Sequence, residues 1–196
     1  MAIILKETLS KQIPPGTHLA VCFRIVYCGT QPDSGFGPKK KLVVSWELPH
    51  ERVMWENREM PMSATRFYSM SLSKKANLRK DLSAWRGRDF TPEELQHFEL
   101  KSILGKGCQL VVEQGETGRS NVTGVVGLPK GVKVDNAINP LVEYSIEDGK
   151  NEVFEKLPEW LQKMCLQCLE WTQPATEEAP PSEEVPPAAE DQDVPF

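Results

Sequence analysis

Aromatic and cationic side chains recur together in the first half of the chain. Rings that stack on bases and cations that meet phosphates are the two ingredients of single-strand nucleic-acid binding. The candidate stacking residues are Tyr27, Trp46, Phe67 and Tyr68. The candidate phosphate contacts are Arg24, Lys39, Lys40, Lys41, Arg66, Lys74 and Lys75. This combination predicts a protein that binds single-stranded DNA without reading its sequence.

Several of these residues also have an interpretation as parts of the fold. Trp46 occupies the same parity as Leu42, Val44 and Leu48, so it would share their face of the strand, which favours the core. Tyr27 likewise shares its parity with apolar residues of the first strand. Phe67 is also a core candidate, whereas Arg66 and Tyr68 have the opposite parity and would face a groove together. The lysine triplet before the second strand could simply protect a sheet edge. Trp85 and Trp160 are expected in the core.

Signatures of catalysis are missing from the sequence. It contains no phosphate-binding GxxxxGK[ST] run, and His18, His50 and His97 do not have the spacing of a metalloprotease helix. Cys165 and Cys168 form a lone CxxC pair, whereas a structural zinc site needs four ligands. We therefore expect no enzyme activity, no metal and no cofactor.

The elements that must position the binding residues are mostly strands. Alternating or β-branched runs predict strands at 17–31, 42–48 (closed by Pro49), 65–72, 108–114 and 121–128. A first helix is predicted over 73–85, with Gly87 ending it, and a second helix begins at the Thr91 capping box. A third helix is predicted over 157–171. The order predicts a mainly β fold with helical insertions, namely a five-stranded OB-type barrel followed by a C-terminal helix.

Charge divides the chain into two parts. Residues 173–196 contain seven acidic residues, six prolines and no Lys, Arg or His, so this segment is expected to be a disordered tail. Residues 1–172 then form one domain with 23 basic and 21 acidic residues. This weak net charge of +2 keeps a second interpretation open, in which the barrel is a non-catalytic scaffold that binds a protein.

The last six residues have the chemistry of a docking peptide. Asp191 and Asp193 supply charge, Val194 and Phe196 supply apolar groups, and Pro195 restricts the backbone. This end resembles the acidic tip of bacterial single-stranded-DNA-binding proteins, which ends in Ile-Pro-Phe after several Asp residues. The resemblance implies that the five residues named here recruit replication and repair proteins.

The body resembles a phage-encoded family of single-stranded-DNA-binding proteins. The similar stretches are 42–48, 85–91 together with Glu93 and Glu94, 104–108 and 128–131, within a match that covers roughly 15–135. The resemblance implies an OB fold, a role in DNA replication or recombination and, as is frequent among phage members, a homodimer. The odd number of five cysteines and the lack of an apolar run of about 18 residues favour a cytoplasmic protein without membrane contact.

Overall fold

A computed structural model describes residues 11–32 and 37–172 of the chain. The strands are β1 Gly16–Gln31, β2 Lys39–Trp55, β3 Arg58–Ser69, β4 Gly107–Gln114, β5 Ser120–Val126 and β6 Val142–Ser145. The α-helices are α1 Asn77–Arg86, α2 Pro92–Gln96, α3 Glu152–Glu155, α4 Glu159–Leu166 and α5 Leu169–Thr172. Short 3-10 helices span Leu100–Ile103 and Ile146–Asp148.

The six strands form one sheet with the order β3-β2-β1-β4-β5. Neighbours along this path are antiparallel, while β6 pairs in parallel with the second half of β1. The long strand β1 therefore holds β4 along its first residues and β6 along its later ones. The terminal strands β3 and β5 also contact each other, and α1 packs against both of them.

The face of the sheet toward α1, here called the inner face, carries the main apolar core. Val44, Trp46 and Tyr68 line the same small cavity as Leu78 and Leu82 of α1. All five side chains are buried. Because a strand alternates its side chains between two faces, the same alternation places Val43, Ser45 and Glu47 on the opposite, outer face.

The outer face is covered in part by the C-terminal third of the described chain. Leu161 and Cys165 of α4 are fully buried in the common core, and the side-chain amide of Gln31 donates to the Met164 carbonyl at 3.1 Å. The Glu170 carboxylate accepts from the Thr30 backbone N–H at 2.9 Å. These contacts hold the C-terminal helices against β1.

The predicted strands agree with the structure in number and order up to β5. The mainly β fold with helical insertions is confirmed, but β6 was not predicted. The expected end of the second strand at Pro49 is wrong, since β2 continues to Trp55 and joins β3 through Glu56 and Asn57. Both turn residues have positive φ, 47° and 63°, the conformation of a tight two-residue hairpin.

The helix predictions are confirmed at two ends, wrong at one start and wrong about the continuity of the last helix. Gly87 ends α1 with φ 70°, and Thr91 forms the expected capping box with Glu94 at the start of α2. Ser73, however, does not cap α1, which begins four residues later at Asn77. The helix expected over 157–171 is divided into α4 and α5.

No helix within residues 11–32 and 37–172 is long and apolar enough to cross a membrane. The predicted disordered tail, 173–196, lies outside the described residues.

Candidate nucleic-acid interface

A β-bulge in β1 brings two neighbouring side chains to one groove. The pairing with β2 shifts between Cys22 and Arg24, so the alternation of side chains is interrupted at Phe23. As a result Phe23 and Arg24 line the same groove on the outer face, although successive residues of a regular strand point to opposite faces. The regular alternation expected over 17–31 does not predict that these two neighbouring side chains line one groove.

The groove is a cavity of about 670 Å³ between β1, the β2–β3 hairpin and the C-terminal segment, and it is called the outer groove below. Its lining includes Lys11, Phe23, Arg24, Met60, Asn139 and Trp160. Two cations and two aromatic residues therefore border one space, but Phe23 is 5% exposed and only Trp160 offers an accessible ring. Of these six residues, only Arg24 was expected from the sequence to contact a nucleic acid.

Arg24 carries a positive charge that the described residues do not neutralise. Its guanidinium carbon lies 5.0 Å from the centroid of the Phe23 ring, and Nη2 donates to Ser45 Oγ at 3.5 Å. Nε is buried without a hydrogen-bond partner, and no described carboxylate forms an ion pair with this side chain. Burial lowers the pKa of Arg24, but a guanidinium remains charged at neutral pH.

One wall of the outer groove is fixed by a buried carboxylate. Glu47 is fully buried and accepts from the backbone N–H groups of Ile138 and Asn139 at 2.9 and 2.8 Å, and from the Asn139 side chain. These three donors satisfy a charge that would be costly to bury alone. Glu47 thereby holds the loop before β6 against the sheet, and this loop supplies the Asn139 wall.

Two exposed aromatic rings meet at the edge of the groove. Phe67 of β3 is 50% exposed and Trp160 of α4 is 41% exposed. Their centroids are 6.1 Å apart with an interplanar angle of 67°. The expectation that Trp160 belongs to the core is wrong, because only part of this ring is covered. Phe67 keeps its place among the candidate stacking residues.

A second cavity, called the lysine pocket below, adjoins the same aromatic pair. It has a volume of about 270 Å³, and its lining includes Lys41, Phe67, Lys75 and Asn77. Lys41 shares the outer face with Phe67, since it pairs with Ser69 two residues along β3. Two of the predicted lysines are therefore brought together beside an exposed ring.

Three of the four predicted stacking residues are buried. Trp46 is 1% exposed, Tyr68 4% and Tyr27 8%. A base cannot stack on a ring that has no free face, so these three residues are withdrawn as stacking surfaces. The parity that Trp46 shares with Leu42 and Val44 favoured the core, and the structure confirms that alternative.

The expectation that Arg66 and Tyr68 face a groove together is wrong. Both side chains point to α1, where the Tyr68 hydroxyl donates to Asp81 Oδ2 at 2.7 Å and Arg66 Nη1 lies 3.1 Å from the same oxygen. Burial raises the pKa of Asp81, and the contacts with Tyr68 and Arg66 oppose that shift. Arg66 is thus neutralised inside the protein rather than offered to a phosphate.

Of the remaining predicted cations, all but Lys75 lie outside the two cavities. Lys40, Lys74 and Lys75 are exposed, as is Lys39, which has a partner within the protein. Only Lys75 of these four lines the lysine pocket. The partner-binding candidates Asp191, Asp193, Val194, Pro195 and Phe196 lie outside the described residues.

Among the described residues no cluster of His, Cys, Asp or Glu has the geometry of a metal site. Cys165 and Cys168 are buried and unbridged. Comparison of the sequence with protein-family models and with curated proteins finds no match.

Proposed function

We propose that the sheet is an OB-type barrel. Three consecutive strands, a helical segment and two further strands follow in the order expected of that fold. The contact of β3 with β5, and the position of α1 across both strands, are consistent with a closed barrel. In this proposal β6 and the C-terminal helices are additions on the outer face.

We further propose that the outer groove binds single-stranded DNA without sequence preference. The observation that carries this proposal is Arg24, a half-buried cation without a counter-charge among the described residues, in a groove that the partly exposed ring of Trp160 also lines. A buried guanidinium loses hydration, and an ion pair with an anionic ligand offsets that loss. A phosphate is such an anion, and the bases attached to it can use the neighbouring rings.

The DNA would run from the outer groove across the Phe67–Trp160 pair to the lysine pocket. Trp160 lines the first cavity and Phe67 lines the second, so the ring pair lies between them. Arg24, Ser45 and Thr65 lie side by side on β1, β2 and β3. Crossing from β1 to β3 therefore takes about 10 Å. Cations at both ends of this path can contact the phosphates of single-stranded DNA, and the rings between them can stack on its unstacked bases.

Binding of the full-length chain to poly-dT and to duplex DNA, measured over a range of salt concentrations, tests this proposal. The two cavities present four cations, Lys11, Arg24, Lys41 and Lys75. At about 0.7 per phosphate contact, we expect a log-log slope near −3 for poly-dT, with weaker binding to the duplex. A flat salt profile, or equal affinity for duplex, would count against phosphate tracking in this groove.

A second candidate function is the binding of a protein or peptide by the same barrel. The apolar rim of the hairpin favours it, since Met54 is 66% exposed and Met60 lines the outer groove. Methionine-rich surfaces adapt to varied partners. The poly-dT measurement separates the two functions, because a peptide groove has no reason to prefer single strands.

We also propose that the C-terminal tip recruits replication or repair proteins, through Phe196 and the acidic residues before it. The basis is the sequence of the tip. Deleting Phe196 alone should abolish capture of such partners while poly-dT affinity stays nearly unchanged. Equal capture by the intact and shortened chains would show that the tip has no docking role.

A further inference from the structure

A histidine of β1 joins two segments that are not neighbouring strands of the sheet. His18 Nδ1 lies 3.0 Å from Glu51 Oε1, and His18 Nε2 lies 2.8 Å from the Pro14 carbonyl oxygen. The side chains of His18 and Glu51 are 12% and 25% exposed. The ring thereby connects residues 11–15, called the N-terminal segment below, to β2. We call this pair of contacts the His18 bridge.

Both groups that the ring contacts are hydrogen-bond acceptors. A neutral imidazole has one N–H donor and one lone pair, so beside a carboxylate and a carbonyl it can donate to only one of them. The imidazolium form carries an N–H on both nitrogens and therefore satisfies Glu51 and Pro14 together. It also places a positive charge beside the Glu51 carboxylate. The complete bridge thus requires the second proton on His18.

The part of β2 that the bridge reaches is irregular. The register of β2 with β3 is interrupted between Leu48 and Arg52, so residues 49–51 bulge out of the ladder. The bridge contacts this bulge at its last residue, Glu51. Directly after it, the Arg52 carbonyl accepts a hydrogen bond from Lys11 Nζ. The His18 bridge and Lys11 therefore span the same gap, which lies between the N-terminal segment and the bulge.

Lys11 connects this bridge to the outer groove, where it is one of the two lining cations. An ammonium group has three donors, so the contact with the Arg52 carbonyl leaves two for an anion. We propose that His18 is a positioning residue for the DNA site, because its imidazolium form holds the N-terminal segment to the bulge and so keeps Lys11 at the groove. This inference rests on the proposed binding of DNA there. Loss of the second proton turns one contact of the bridge into a contact between two acceptors, which loosens the segment.

The surroundings of the ring determine the direction of the pH dependence. The charged or titratable residues on the elements around it are Lys11 of the N-terminal segment, His50, Glu51 and Arg52 of β2, and Cys108 of β4, which pairs with this part of β1. Burial raises the pKa of the Cys108 thiol, which therefore stays neutral. Histidine is the side chain that ordinarily changes charge between about pH 5 and 8. The bridge is thus complete toward the acidic end of that range and loses one contact as the pH rises.

Nuclear magnetic resonance of the full-length chain between about pH 5 and 8 tests the bridge without DNA. We expect the amide signals of Gln12 and Ile13, in the N-terminal segment, to shift with the same midpoint as the His18 ring. The His50 and His97 rings serve as internal controls, because their titration should leave these two amides unchanged. His18→Gln should remove the shifts, since a glutamine side chain does not change charge in this range.

The salt dependence of poly-dT binding, measured near both ends of this range, tests the role of Lys11. A held Lys11 counts as one phosphate contact, so the log-log slope should be about 0.7 steeper at about pH 5.5 than at about pH 8. In His18→Gln, and likewise in Lys11→Gln, the slope should be nearly the same at both pH values. His50→Gln is the matched control, because it removes an exposed histidine of β2 and should keep the difference between the two slopes.

Three results would overturn the inference. Amide signals of the N-terminal segment that do not follow the His18 ring would show that the ring does not hold this segment. Signals that follow the ring, together with equal salt slopes at both pH values, would show that the bridge does not position Lys11 for DNA. Absence of poly-dT binding at both pH values would reject the DNA proposal itself, and with it the role of Lys11, while the titration without DNA would still show whether the bridge exists.

Discussion

The two faces of β2 and β3 use arginine in opposite ways. On the inner face Arg66 Nη1 lies 3.1 Å from Asp81 Oδ2, the oxygen that also accepts the Tyr68 hydroxyl, so the charge of Arg66 is compensated within the protein even though Nη1 makes no hydrogen bond with the described residues. On the outer face Arg24 has a hydroxyl and a ring for neighbours but no carboxylate among the described residues. Both arginine side chains are partly withdrawn from water. The compensated one serves the fold, and the uncompensated one is available to an anion.

The largest effect on stability is expected from removing the carboxylate that neutralises Arg66 on the inner face. Asp81→Ala leaves Arg66 without its counter-charge and the Tyr68 hydroxyl without its acceptor, and both side chains are mostly buried. Breaking such a buried pair costs about 3 kcal/mol in the free energy of unfolding. Chemical denaturation measures this loss. Poly-dT affinity of the folded protein should be unchanged, and a loss of affinity without a loss of stability would reverse the roles of the two faces.

Removing the uncompensated cation should produce the opposite result. Arg24→Met takes away a charged hydrogen-bond donor to phosphate, worth about 2 kcal/mol, or roughly thirtyfold in the dissociation constant for poly-dT. The fold should lose little stability, since the methionine relieves a desolvated charge. Arg88→Met is the matched control, because it removes the same charge from a side chain that is 56% exposed and paired with Glu94. Equal losses for both variants would reduce the role of Arg24 to net charge.

The exposed ring pair should contribute a smaller, sequence-independent share of affinity. Trp160→Leu and Phe67→Leu each remove one stacking surface, which contributes roughly 1 to 3 kcal/mol per base. We expect losses toward the lower end of that range, because both rings are partly covered. Leu166→Ala serves as the control, since it alters an exposed apolar side chain on the same helix. Fluorescence anisotropy of labelled dT oligonucleotides gives the three affinities.

The lysine pocket should affect the salt dependence more than the affinity. Lys41→Gln combined with Lys75→Gln removes two phosphate contacts, which should make the log-log salt slope about 1.4 less steep. The pair Lys130→Gln and Lys133→Gln, on an exposed loop, provides a control with the same change in charge. If both pairs change the slope alike, the lysines act through net charge and the pocket is not a contact site.

The sequence was informative where one local rule decides the structure. The parity that Trp46 shares with Leu42 and Val44 favoured the core, although Trp46 was also a stacking candidate, and Gly87 and the Thr91 capping box mark helix ends through local chemistry. The mainly β fold follows from such signals. The short strand β6 escaped prediction because its four residues cannot establish a period.

The candidate site was less predictable, because it depends on contacts between distant segments. Phe23 joins Arg24 in the outer groove only through the bulge, and a bulge leaves no mark on apolar periodicity. The sequence placed Arg66 and Tyr68 on the face opposite to Phe67, but which face packs on the core depends on Asp81 of α1, which lies opposite Arg66. Trp160 looked like a core residue since its helix is amphipathic, and its exposure depends on how α4 sits on the sheet.

Photocrosslinking tests most directly whether the outer groove is the DNA site. Full-length protein bound to an oligo-dT carrying photoreactive thymine analogues is irradiated, and the crosslinked residues are identified by mass spectrometry. We predict crosslinks at Trp160 and Phe67, greatly reduced in Arg24→Met at the same protein and DNA concentrations. Crosslinks confined to the inner-face side, for example at Phe98 beside α2, or an unchanged pattern in Arg24→Met, would contradict the assignment of DNA binding to the outer groove.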